Sequence, residues 1–328
     1  MIWVASAFSA SLSDREAISL NILFIIADDA SKNSFGAYGG KSANTPAIDA
    51  LSEQGVLFTN AYNNNPKCSP ARAAILTGRY SWQLEEAANH RPYLSEKWKY
   101  YPFILEEEGY FVGYTGKGWG PGVYKGIDIS ETKLNPAGHL FEGEKLIRPY
   151  DGISKINYSA NFGNFLKAVP KDQPFCFWLG THEPHRSYEK DSWKKQQRDT
   201  SKIKVPKFYP DHPDVVGDIA DYDIEVEWYD KHVGEAVDHL KNNNLLENTI
   251  IIVTSDHGMP FPRVKGQPIV TFVSISQYQS SLYSYWSLHV FRSLSLNKST
   301  TRFRSSSCLD LSKNKILRPY CRKHVVFS

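Results

Sequence analysis

The sequence predicts an α/β chain with a largely parallel central sheet sandwiched between helices, and three observations predict it. Short continuous apolar runs recur, rich in Ile, Val and Phe, as in strands buried on both faces. Helical patterns lie between them, as the crossovers of a parallel sheet require. Each run is followed by a polar cluster, and α/β sheets build their sites beyond the carboxyl ends of the strands.

The first run, Asn21–Ala27, reads Asn-Ile-Leu-Phe-Ile-Ile-Ala and ends in Asp28 and Asp29. Residues 45–53 follow as a helix capped by Thr45, with Pro46 at its first position and Gly55 as its stop. Residues 56–61 return as a short strand. A polar loop, 63–67, leads to Cys68, and residues 70–76 form a helix that stops at Gly78. Residues 102–108 make a short helix closed by Gly109, and 110–115 a strand just ahead of Lys117. Residues 174–180 are another buried strand, followed by Thr181-His182-Glu183-Pro184-His185-Arg186. A long amphipathic helix spans 218–242, with Ile224, Val226, Trp228, Val233, Ala236, Val237 and Leu240 as its apolar positions. Residues 249–254 are the fourth buried strand, followed by Ser255-Asp256-His257-Gly258. No internal repeat is present.

The chain's 328 residues allow one large domain or two smaller ones. A net charge of +3 by itself argues for no particular partner, and no nucleic-acid partner is expected. The four cysteines, Cys68, Cys176, Cys308 and Cys321, have neither zinc spacing nor a dense disulfide pattern. No apolar run is long enough to span a membrane. Residues 1–18 start apolar and rich in small residues, so they are expected to be a signal remnant of an exported protein, or else a disordered terminus.

Composition changes at Gly266. From Gln267 to Ser328 there is no Gly, Ala, Glu or Met, Asp310 is the sole acid, and Ser becomes common. The absence of Gly alone from such a stretch is about a one-in-a-hundred event. The chain therefore divides into 1–18, a catalytic domain over 19–266, and an atypical basic tail over 267–328. The tail is expected to be out of frame, with a genuine disordered or anion-binding tail as the other reading.

Asp28 and Asp29 are adjacent carboxylates, and two like charges that close need a cation or a proton between them. With Asp256 they suit a hard, oxygen-preferring ion; on their own they also suit a solvated turn. Cys68 sits just before a helix start, where free N–H groups favour an anion and lower a thiol pKa; the plain alternative is an inert buried thiol.

Cys68-Ser69-Pro70-Ala71-Arg72 resembles the Cys-x-Pro-x-Arg signature of type I sulfatases, members of the alkaline-phosphatase-like superfamily. In family order, Asn21 to Asp29 resembles the first strand with its metal aspartates, and Asn44-Thr45-Pro46-Ala47-Ile48-Asp49 the helix start after it. Thr77-Gly78-Arg79 resembles the end of the signature helix. Gly113-Tyr114-Thr115-Gly116-Lys117 resembles the second signature, and Ser255-Asp256-His257-Gly258 the second metal segment. His182-Glu183-Pro184-His185-Arg186 and Asp256-His257-Gly258-Met259-Pro260-Phe261-Pro262 lean toward the sulfamidase branch.

The resemblance implies an alkaline-phosphatase-like fold with its C-terminal subdomain missing, and a sulfatase acting on a sulfate ester or sulfamate of a sulfated sugar. It implies that a maturation enzyme oxidises Cys68 to formylglycine, whose hydrate attacks sulfur through one hydroxyl and expels sulfate through the other. Asp28, Asp29, Asp256, His257 and modified Cys68 would hold Ca2+ rather than Mg2+. Arg72 would hold the formylglycine, Lys117 and Lys265 would face the sulfate oxygens, and His182 would protonate the leaving atom. A phosphodiester or phosphonate hydrolase of the same superfamily and an inactive truncated sulfatase are the alternatives. The second signature usually continues Lys-x-His, but Trp119 stands at the histidine's place, and a tryptophan cannot take a proton. Lys265 stands where the sulfamidase branch has arginine, which keeps the charge and loses bidentate geometry. His185 and Arg186 either order their loop or touch the sugar.

Overall fold

A computed structural model of the chain describes residues 19–266 and the backbone of residues 324–326. The signal remnant expected at 1–18 and the rest of the tail after Gly266 lie outside the described residues. In chain order the strands and helices are β1 (Asn21–Ala27), α1 (Pro46–Gln54), β2 (Val56–Leu57), α2 (Cys68–Thr77), β3 (Tyr93–Leu94), α3 (Tyr101–Glu107), β4 (Phe111–Gly116), β5 (Val123–Tyr124), β6 (Ile127–Asp128), β7 (His139–Leu140), α4 (Tyr158–Ala168), β8 (Phe175–Gly180), α5 (Ser192–Lys195), α6 (Pro213–Asn242), β9 (Thr249–Ser255) and β10 (His324–Val326).

The main sheet runs β2-β10-β9-β1-β8-β4-β7, and every pairing in it is parallel. β3, β5 and β6 form a small second sheet. In β1, successive side chains point to opposite faces, and both faces are covered. Leu23, Ile25 and Ala27 pack with Ile48 and Leu51 of α1, Phe162 and Phe165 of α4, and Val226, Val233 and Leu240 of α6. Ile22, Phe24 and Ile26 pack with Ala73 and Leu76 of α2 and Tyr101 and Leu105 of α3. A strand apolar at every position is thus explained by helices on both sides of the sheet.

The expected strands are present, with β2 cut to two residues and β9 extended to Ser255. α2 starts at Cys68 itself rather than at residue 70, and Gly78, left-handed at φ 66°, ends it by donating its N–H to the Ala74 carbonyl. α6 starts five residues before the expected 218, at Pro213, because the His212 ring accepts the Asp214 N–H. Thr45 occupies the N-cap of α1, but its side chain does not cap. Its hydroxyl accepts the Gly36 N–H and donates to Asp49. The cap comes instead from Asp230 of α6, whose carboxylate accepts the Ala47 and Ile48 N–H groups at 3.1 and 2.8 Å.

Candidate active site

The carboxyl ends of β9, β1, β8 and β4 lie side by side, so the four polar clusters of the sequence meet at one end of the sheet. Backbone bonds lock them: Asp256 N–H donates to Ala27, Thr181 N–H to Ile26, Asp28 N–H to Glu183 and Lys117 N–H to Gly180. The N-terminus of α2 closes on them from the loop of residues 63–67.

Cys68 Sγ, 1% exposed, lies 3.5 Å from Asp28 Oδ1, 3.9 Å from Asp29 Oδ1 and 3.3 Å from His257 Nε2. Asp28, Asp29, Cys68 and His257 each offer a donor atom within 4.8 Å of the others. Asp256 stands just behind this group, its Oδ1 3.6 Å from His257 Nε2. Its oxygens are already engaged, Oδ1 by the Asp29 N–H at 3.0 Å and Oδ2 by Arg72 Nε at 2.9 Å. Asp29 itself is held at φ 75°, a left-handed conformation uncommon outside glycine that turns its carboxylate into the cluster.

Arg72 is wholly buried and reaches three strand ends at once. Besides Asp256 it donates to the Lys117 and Gly118 carbonyls at 2.7 and 2.9 Å and to Ala27 at 3.4 Å. Its i+4 spacing from Cys68 does turn it toward the site, but its partners are the scaffold of the site rather than the side chain at position 68. Lys117 pairs with Asp28, and Lys265 reaches both oxygens of Asp29 at 2.9 and 2.7 Å. Burial pushes the Asp28 carboxyl up, and Lys117 with Arg72 overcomes it, holding the group well below the usual carboxylate range. Asp29 goes the other way: burial and then the charge of Asp28 push it up to about 7. Desolvation lowers His257, yet Asp256, Cys68 and Asp29 outweigh it and bring the ring to about 9.

His182 follows β8 directly and keeps an exposed edge. Desolvation and then the charge of Lys117 pull it down to about 4, so the ring is neutral at pH 7. His185 Nε2 stands 3.9 Å from Asp29 Oδ2. Arg186 pairs with Asp218 and lies over the Phe261 and Tyr188 rings, which orders the loop. Trp119, in the histidine's place, is 1% exposed and donates its indole N–H to the Ser69 carbonyl at 3.1 Å, propping the first turn of α2 from below.

Three features were not anticipated. The Tyr158 hydroxyl accepts the His182 N–H at 3.0 Å and donates to the buried Glu183 carboxylate at 2.9 Å, which fixes the backbone at His182. Asn63 Nδ2 donates to the Asp256 carbonyl at 2.7 Å. His90 lies within reach of the charges of Lys265, Lys67 and Lys117. An acid placed between His182 and Pro184 was a visible signal for Glu183; the other two have none.

The family model described as Sulfatase matches residues 20–292. Human N-sulphoglucosamine sulphohydrolase is 29% identical over 269 residues, covering 74% of this chain and 51% of that protein. An ulvan-active sulfatase of Formosa agariphila is 28% identical, covering 76% and 46%. The chain thus spans about half the length of these relatives. A solved structure assigned as the sulfatase yidJ of Bacteroides fragilis superposes with a TM-score of 0.59 at 26% identity, over 76% of this chain and 64% of that one.

Proposed function

The chain belongs to the sulfatase family, with an alkaline-phosphatase-like α/β fold, and from that premise we propose that it carries the catalytic part of a hydrolase releasing sulfate from a sulfated sugar. The sulfate is held as an ester or a sulfamate. Formylglycine made from Cys68 by a separate maturation enzyme, and a divalent cation, Ca2+, are its cofactors. The observation that carries this reading is the place of Cys68: the first residue of α2, buried, with its sulfur against Asp28, Asp29 and His257. An inert core thiol has apolar neighbours, as Cys176 does within the second core layer.

The residues present fit a hard cation. Two carboxylates and an imidazole converge with position 68, and burial and the charge of Asp28 raise Asp29 to about 7, so the adjacent pair favours a cation or a proton. A cation bound there would compete with protons for Asp29 and His257, since a ligating imidazole is neutral. Asp28, Asp29, His257 and position 68 would hold it, with Asp256 behind them orienting Asp29 and Arg72. When bound, the cation supplies Lewis acidity, and formylglycine supplies an oxygen nucleophile in place of a thiol.

The remaining work falls to the protein. Lys117 and Lys265, whose ammonium groups meet Asp28 and Asp29, would take sulfate oxygens. Arg72, with each guanidinium nitrogen engaged, keeps the strand ends in register. An anionic sulfate beside His182 raises that ring's affinity for a proton, which suits it to hand one to the leaving oxygen or nitrogen. The sulfated-sugar class rests on the names of the relatives, and export on the composition of residues 1–18. The change of composition after Gly266 remains a proposed loss of frame, tested by translating the coding DNA in the other two frames.

Mass spectrometry of the peptide spanning Cys68, from a host with the maturation enzyme, should find an aldehyde in place of the thiol. Chromogenic aryl esters should then release sulfate faster than phosphate. An intact thiol, or phosphate released faster, counts against the reading.

A further inference from the structure

Around the strand-end cluster stand basic residues beyond those paired with its carboxylates. Lys117 and Lys265 are paired with Asp28 and Asp29. Around them stand three more basic residues: Lys67, half-buried, and His90 and Arg91, both exposed. None of the three forms an ion pair with a carboxylate among the described residues. Asp128 feels Arg91, but its Oδ1 already accepts from the Ser130 N–H and hydroxyl.

The backbone places these residues at the rim. Asn65, three residues before Cys68, donates to the Ala88 carbonyl at 3.2 Å. On the far side, the Pro92 carbonyl accepts the Val123 N–H at 2.8 Å, and the neighbouring Pro121 carbonyl accepts the Ser69 hydroxyl at 2.5 Å. The turn carrying His90 and Arg91 is therefore pinned at both ends to segments that flank the start of α2. Arg91 is held at φ 55°, a left-handed conformation. Lys67 adjoins Cys68 and comes to 3.4 Å from where a Cβ on Gly266 would stand, and the Gly266 N–H donates to Pro66. That brings Lys67 beside Lys265. Desolvation and then the charges of Lys265, Lys67, Lys117 and Arg91 lower the His90 pKa, in keeping with that placement of the turn.

Lys67 and Arg91 carry charge with no counter-charge beside them, and His90, held below its ordinary pKa by desolvation and by these charges, takes up a proton more readily once an anion is present, so a fold that pins the three together suits an anion that arrives from solution. We propose that Lys67, His90 and Arg91 form a second anion subsite at the pocket mouth, which binds a sulfate or carboxylate on the sugar unit next to the one being hydrolysed. The preferred substrate is then a polyanionic glycan rather than a singly sulfated sugar. This rests on the sulfatase reading of the pocket and adds the substrate's second charge to it.

Binding tests it without turnover. The full chain, produced without the maturation enzyme so that Cys68 stays a thiol, is titrated calorimetrically in Ca2+ buffer. The probes are inorganic sulfate, a monosulfated disaccharide, the same disaccharide with a second sulfate on the adjacent unit, and a version with a uronate carboxylate there. A second anion should tighten binding by about tenfold, the scale of one charge-assisted contact. The sulfate and carboxylate arms show which anion the rim prefers. In His90→Gln/Arg91→Gln, and separately in Lys67→Gln, that gain should shrink to about threefold or less, while inorganic sulfate binds within about twofold of the parent. Thermal melts confirm that the variants fold. No gain from the second anion in the parent, or an equal loss for all four probes in the variants, overturns the subsite. Failure of the parent to bind inorganic sulfate overturns the pocket reading itself, and the subsite with it.

Discussion

Two sets of buried acids are equally hidden and are met by opposite kinds of partner. Asp28, Asp29 and Asp256 sit at strand ends, and Asp221, Asp223, Glu225 and Asp230 sit along α6; all seven are at most 5% exposed. The first set is met by cations: Lys117, Arg72, Lys265 and His257. The second is met by neutral donors or by none. Asp221 accepts from the Asp191 and Trp193 N–H groups and the Ser192 hydroxyl, and Asp230 from two N–H groups of α1. Asp223 Oδ2 and Glu225 Oε2 have no hydrogen-bond partner among the described residues. The carboxyl groups record the difference. Lys117 and Arg72 hold Asp28 low against burial, whereas burial leads the rise of Asp223 and Asp230 to about 6 and of Glu225 to about 9. Partners decide whether a buried acid stays charged. Asp29 is the instructive member of the first set, because burial and the charge of Asp28 raise it to about 7 even with Lys265 and His257 beside it.

Breaking the cationic side of the comparison should have the largest effect. Arg72→Met removes the partner of Asp256 and the donor to the Gly118 carbonyl, and leaves the Lys117 and Ala27 carbonyls with only the Trp178 indole N–H and the Asp256 N–H. Removing one member of a buried pair costs about 3–5 kcal/mol. Urea denaturation should register that loss, and the melting temperature should fall by about 10 °C. A loss below about 1 kcal/mol would mean that the strand ends hold themselves and that Arg72 serves the reacting group instead.

The uncompensated side should respond in the opposite sense. Glu225 ionises near 4.5 in a model peptide and near 9 when folded, raised by burial and then by Glu183 and Asp221. The folded state therefore keeps a proton that the unfolded chain releases. Its contribution is complete below about pH 4.5 and is lost as pH rises toward 9, reaching about 3 kcal/mol by pH 7. Glu225→Gln cannot ionise, so its melting temperature should fall less than the parent's between pH 5 and pH 8. Parallel pH profiles for the two proteins would show that Glu225 finds a charge partner when folded.

The cationic set was legible in the sequence and the α6 set was not, for a physical reason. Asp28, Lys117, His182 and Asp256 each follow an apolar run, and a parallel sheet delivers strand ends to one edge whatever the intervening loops do. Cys68 and Arg72, spaced i and i+4, needed only a helix to share a face. What stayed hidden depends on contacts between distant segments. The bonds of Arg72 to strand ends could not be read locally, because only the folded sheet assembles those ends; they stand beside its expected role toward the modified residue. Trp119 gave notice of a missing histidine, but nothing local shows that its indole props α2. The two-residue strands β3, β5 and β6 are too short to carry a period. The acids of α6 fall within an amphipathic helix, where charge is ordinarily read as solvated surface; both faces are in fact covered, by α1 and α5 among others.

Asp230 offers the smallest test and the most local one. α1 begins Thr45-Pro46, which reads as a self-sufficient N-terminus, yet the Thr45 hydroxyl is turned to Gly36 and Asp49. The donors that need a cap, Ala47 and Ile48 N–H, are met by a residue more than 180 positions away. If that long-range cap replaces the local one, Asp230→Ala costs about 1 kcal/mol, and Asp230→Asn, which keeps one acceptor oxygen, costs less. Hydrogen exchange should quicken at the first turn of α1 and stay unchanged in α2, whose start does not touch Asp230. Equal quickening in both helices would mean that the carboxylate supports the core as a whole, and an unchanged α1 would return the capping role to Thr45.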